Sequence, residues 1–215
     1  MRSKVGKLFL SSLVILLAAL IAIYAFSYLS LAETDFLRSK EPAIRANVLW
    51  QAAFYLHAVF GGLALLIGGL QFIEPLRNRL ITLHRTFGKI YVVSVFISSV
   101  AGFGIALFAS AGPVAQLGFA LLAAAWFFTN YKAFTEIRKG NILEHRTWMI
   151  RCYCLTFAAV TLRIILPVEL AVFGLDFPTA YRIVAWACWV PNLLFAELLV
   201  YRLRTADRLA APSPV

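Results

Sequence analysis

Two tripeptides carry the residues best suited to chemistry in this sequence. His84-Arg85-Thr86 and His145-Arg146-Thr147 repeat one triplet 61 residues apart, each just ahead of a long apolar run. Two imidazoles brought face to face can ligate a haem iron, because histidine is an axial ligand. That makes His84 and His145 the candidate metal ligands and haem b the cofactor of this reading. Arg77, Arg79, Arg85, Arg146 and Arg151 lie close enough in sequence to hold its propionates by charge-assisted hydrogen bonds. The same arginines at helix N-termini can instead hold a phospholipid headgroup or an anionic solute, as a transporter would. Basic residues also collect at a membrane boundary for topology alone. A third reading is therefore a chain whose role is assembly with another membrane protein or with a second copy of itself.

A second set of polar residues falls inside apolar segments. His57, Gln71, Arg163, Asn192 and Glu197 are each costly to place in lipid, so each is a functional-site candidate. His57 and Gln71 are 14 residues apart and lie within about 40° on one helix face. Arg163 follows His145 by 18 residues, a whole number of ideal turns, and shares its face if that helix begins early enough. It is expected to point into the bundle, toward His57, Glu169 or a backbone carbonyl. Glu197 is expected to face the basic cluster, as a Glu–Arg pair or as a proton relay. Pro191 with Asn192 predicts a kink whose freed carbonyl needs a partner.

The elements that position these residues follow from composition. Hydrophobic residues make up 62% and charged residues 14% of the 215, against about 25% charged in a soluble domain. Apolar segments long enough to cross a bilayer recur six times, at about 8–31, 48–73, 87–109, 114–136, 148–170 and 181–201. No hydrophilic stretch is long enough for a separate soluble domain, so residues 1–215 read as one all-α transmembrane domain. Its core is expected from helices two to five.

A net charge of +10 suggests nucleic acid until its distribution is read. Fifteen of the twenty Lys and Arg side chains fall on the side of the termini and the even-numbered loops, and four on the other. Basic loops stay cytoplasmic, which puts both termini inside a bacterial inner membrane and turns the charge toward anionic lipid. Nucleic-acid binding is excluded by the same distribution. Arg2, Lys4 and Lys7 before an apolar run, with Ser30 and Ala32 after it, imitate a signal peptide. The run continues to Leu31, longer than a signal h-region of about 7–15 residues, and so reads as an uncleaved first helix. Glu33 to Asn47 then reads as a polar extracytoplasmic loop.

Ser94, Ser98, Gly102 and Ala106, spaced by four, read as a groove for a neighbouring helix. Cys152, Cys154 and Cys188 show no metal spacing and read as small buried hydrophobes. A helix, a basic loop, His-Arg-Thr and another helix occur twice, in helices two and three and again in four and five. That pattern describes a parallel repeat about an axis along the membrane normal. The second copy has Gly118 where the first has His57.

The stretches FYLHAVFGGLALLIGGLQF, LHRTFGKIYVVSVF and EHRTWMIRCYCLTFAAVTLRIILP resemble the bacterial membrane-protein family called domain of unknown function 2306. The resemblance covers roughly residues 50 to 200. It implies a multi-pass membrane protein and no established activity. Matching positions are His57, Gln71, His84, Arg85, Gly88, His145, Arg146, Trp148, Met149, Arg151 and Arg163. A weaker likeness at the level of fold to b-type membrane cytochromes implies haem or quinone chemistry. Only three histidines exist, so the chain departs from the two-haem pattern, which needs four; at most one bis-histidine haem fits.

Overall fold

A computed structural model of the chain describes residues 4–30, 35–38 and 40–210. Arg2 and Ala32, invoked for the signal-like N-terminus, lie outside the described residues. Six helical segments are long and apolar enough to cross a membrane, and no strand occurs among the described residues. Four spans are single helices: α1 (Lys4–Ser27), α2 (Val48–Leu70), α3 (Ile81–Ala106) and α4 (Pro113–Arg138). The fifth consists of α5 (Ile142–Thr156) and α6 (Ala158–Ala171), and the sixth of α7 (Phe177–Ala187) and α8 (Val190–Ala210). With 23 to 26 residues each, the unbroken spans are roughly 35–39 Å long, enough for a hydrocarbon core of about 30 Å.

The chain runs up and down, and α2, α3, α4 and α5 close into a four-helix bundle with sequential neighbours in contact. α1 packs on the outside of α2. There Gly62 lets the backbones approach, since a Cβ on it would stand 2.8 Å from that of Ala25. α6 packs between α1 and α7, and α8 packs against α5. The row Ser94, Ser98, Gly102 and Ala106 is buried as its spacing predicts, and Ser98 and Gly102 receive α2.

Across the bundle, residues at matching positions of the two helix pairs meet. Tyr91 and Cys152 are 61 residues apart, the repeat offset of the His-Arg-Thr triplets. The Tyr91 hydroxyl lies 3.2 Å from the Cys152 sulfur. The contact bridges the α3–α5 diagonal of the bundle. The other diagonal, α2 to α4, is bridged by the His57 and Trp126 rings, edge to face at 6.5 Å.

Several boundaries differ from the sequence reading: the sixth span, expected at about 181–201, runs from Phe177 to Ala210. The third and fifth spans begin at Ile81 and Ile142, six residues earlier than expected, so both His-Arg-Thr triplets lie in first helical turns. Polar residues there mark the end of the lipid, not the end of the helix. The sixth span breaks at Cys188 and Trp189, and Pro191 stands in the first turn of α8, where its missing N–H is tolerated. Between the first two spans, Asp35–Arg38 and Pro42–Arg45 form single helical turns, and the Asn47 side chain caps α2 by accepting from the Trp50 N–H at 3.1 Å. A tight reversal at the basic end joins α4 to α5. Gly140 takes φ 80° there, and Asn141 N–H donates to the Glu136 carbonyl at 3.0 Å, a Schellman closure.

Candidate functional site

Histidine geometry is set by backbone carbonyls. His145, one turn into α5, lies 2.9 Å by its Nδ1 from the Ala133 carbonyl of α4. A carbonyl cannot donate, so Nδ1 carries the hydrogen and Nε2 keeps its lone pair, the state in which imidazole binds metals. His84, one turn into α3, lies within electrostatic reach of His145, and Arg77 and Arg85 lie within the same reach of His84. Its Nδ1 is buried and has no hydrogen-bond partner. Gln71, at the C-terminal cap of α2, is 7% exposed. Its Oε1 lies 3.6 Å from where a Cβ on Gly88 would stand, one turn from His84, and its Nε2 is also buried without a partner.

Thus α2, α3 and α5 bring Gln71, His84 and His145 to one end of the bundle. Buried polar atoms without partners are uncommon in folded proteins and each calls for an explanation. Two of them stand here on neighbouring turns. Arg85 and Arg146 are exposed at the same end and form no ion pair among the described residues.

Arg151 is placed differently. Its guanidinium donates through Nε to Glu197 Oε1 at 2.6 Å and through Nη2 to Oε2 at 2.8 Å, a bidentate pair between α5 and α8. The same group stacks on the Trp148 ring at 4.5 Å, which Lys132 approaches from α4 at 5.7 Å. Two turns nearer the basic end, Glu144 accepts from Arg204 at 2.9 and 3.0 Å. The two pairs have opposite polarity. Glu144 and Arg151 are seven residues apart on one helix, as are Glu197 and Arg204 on the other, so antiparallel packing matches each acid with a base.

The other intramembrane candidates are spread over three places, although Arg163 lies within electrostatic reach of His57. His57 Nδ1 donates to the Ser98 carbonyl at 2.9 Å, and the ring lies against Gly102, where a Cβ would come within 2.7 Å of Nδ1. Asn192 donates to the Cys154 carbonyl at 3.2 Å and to Thr161 at 2.9 Å, pinning α8 beside the α5–α6 break. Arg163 reaches a backbone carbonyl, that of Ala159 at 2.9 Å, but it lies exposed on the rim of the bundle.

Sequence reading passed over Tyr91, Trp126 and Thr156. Tyr91 is fully buried, its hydroxyl is 2.9 Å from Thr156 Oγ1, and Trp126 Nε1 donates to the same oxygen at 2.9 Å. The signal was available: Tyr91 lies at the repeat position of Cys152.

Six apolar spans around a polar-lined bundle define a polytopic integral membrane protein. A family model described as Predicted membrane protein (DUF2306) matches residues 54–200, and the chain belongs to that family. No curated protein and no solved structure matches it.

Proposed function

We propose that the chain is a membrane redox protein in which His84 and His145 hold one haem b at the basic end of the bundle. The observation that carries this is that His84 of α3 lies within electrostatic reach of His145 of α5, with His145 fixed by Ala133 and the His84 Nδ1 left buried and unpartnered. The donor set suits a porphyrin better than a bare ion. Among the described residues no three His, Cys, Asp or Glu side chains converge, whereas haem iron takes four porphyrin nitrogens and at most two protein ligands. Arg85 and Arg146 are free to bind its carboxylates, while Arg151 is already engaged by Glu197. A haem so held would supply one-electron exchange with a quinol or a protein donor.

Purified from haem-replete cells, the protein is expected to show a Soret band that His84→Ala or His145→Ala abolishes. A colourless wild type would refute the reading. A second reading rests on the exposed, unpaired Arg85 and Arg146: the same end binds an anionic headgroup or solute. It predicts a colourless protein stabilised by that anion, and loss of this stabilisation in Arg85→Gln/Arg146→Gln.

The fifteen-to-four asymmetry of basic residues supports the orientation with both termini in the cytoplasm. Periplasm-active reporters fused after residues 112 and 176 should then be active. Activity only in a fusion after residue 140 would invert the topology.

A further inference from the structure

Arg163 is a cation without an anion. It lies on α6 within a membrane span, eight residues before the helix ends at Ala171, or about 12 Å of rise from that end. Its Nη1 donates to the Ala159 carbonyl of its own helix, and its guanidinium lies 5.3 Å from the centroid of the Tyr24 ring on α1. It is exposed on the lipid side of the α1–α6 seam and forms no ion pair among the described residues. The acid nearest in sequence, Glu169, is buried and lies within electrostatic reach of Cys188 at the α7–α8 break. An unpaired guanidinium facing hydrocarbon is costly, and membranes reduce that cost by thinning locally and by drawing polar groups toward it.

The surroundings suit a phosphate. Arg presents a planar fork that matches phosphate oxygens two at a time. Tyr24 is 47% exposed beside it, and its hydroxyl is 3.0 Å from that of Tyr28. When Tyr28 donates to Tyr24, the Tyr24 hydrogen is free to point at the same anion. Tyr24 stands three residues from the end of α1 at Ser27, so the pair is near the boundary of the leaflet opposite the termini. We propose that Arg163 and Tyr24 hold the phosphate of one phospholipid in that leaflet. The site is separate from the histidine pair and from the basic end, and it fills the seam where α1 meets the kinked fifth span.

Native mass spectrometry of the full chain, released from detergent containing phosphatidylglycerol, reads the site as bound lipid. The wild type is expected to retain one lipid more than Arg163→Gln, with about tenfold weaker retention in the variant. Tyr24→Phe should show a smaller loss, and Arg85→Gln/Arg146→Gln should keep this lipid because those side chains lie at the other end. Diacylglycerol, which lacks the phosphate, should not be retained. Equal lipid counts in wild type and Arg163→Gln would overturn the proposal. Equal retention of diacylglycerol would also overturn it, as would displacement of the lipid by inorganic phosphate, which would make the site one for a free anion. If Arg163→Gln fails to fold, Arg163→Lys, which keeps the charge and loses the fork, carries the same test.

Discussion

Replacing Arg151 by leucine is expected to destabilise the folded chain by about 2 kcal/mol, because it removes a bidentate pair and its stacking on Trp148, two turns deeper in the span than the Glu144–Arg204 pair. The Arg151 side chain is 13% exposed and Glu197 50% exposed, so screening at the carboxylate holds the cost below that of breaking a fully buried pair. The double variant Arg151→Leu/Glu197→Leu should recover most of it, since two apolar side chains of similar volume need no partner there. Arg204→Leu, by contrast, should cost under about 1 kcal/mol. The Arg204 and Glu144 side chains are 42% and 38% exposed, and water can replace either partner. Chemical unfolding in detergent gives all three values. A double variant as unstable as the single one would show that the arginine acts through packing on Trp148, not through its pairing with Glu197.

The second large effect is at the bundle axis. A Cβ on Gly68 would stand 2.6 Å from Tyr91 Cε2 and 2.7 Å from Tyr153 Cδ2. Neither ring can yield cheaply: Tyr91 is fully buried and hydrogen-bonded to Cys152 and Thr156, and Tyr153 is packed against Phe72. Gly68→Ala should therefore cost about 2 kcal/mol by overpacking, despite the better helix propensity of alanine. Gly104 is the control. A Cβ there meets nothing within 4 Å, so Gly104→Ala should be neutral or stabilising by up to about 1 kcal/mol. A neutral Gly68→Ala would mean that α2 and the Tyr91–Tyr153 layer are not in close contact.

Much of this was legible before any coordinates. Apolar run length alone places six spans, because a lipid-facing helix cannot hide polar residues where it has no partner. Helix starts were misplaced because His84-Arg85-Thr86 and His145-Arg146-Thr147 look like loop, whereas a helix continues past the hydrocarbon as long as its backbone is satisfied. The two tripeptides both stand near the starts of helices, α3 and α5, and their 61-residue offset is also that of the Tyr91–Cys152 contact. The dispersal of His57, Asn192 and Arg163 was not legible. Depth can be read from position along a span, but azimuth is lost wherever a span breaks, as at Phe157 and Cys188. The seven-residue spacing of Glu144 with Arg151 and of Glu197 with Arg204 was in the sequence, and it becomes meaningful only once α5 and α8 are known to be antiparallel neighbours.

The central claim is that the convergence of His84 and His145 makes a ligand site, and counting haem per chain tests it most directly. A pyridine haemochrome assay on wild type purified from haem-replete cells should give one haem per chain, and close to none in His84→Ala and in His145→Ala. His57→Ala should leave the count unchanged, because His57 is engaged by Ser98 on another diagonal of the bundle. A wild type without haem, or a haem content that survives loss of either His84 or His145, would contradict the account.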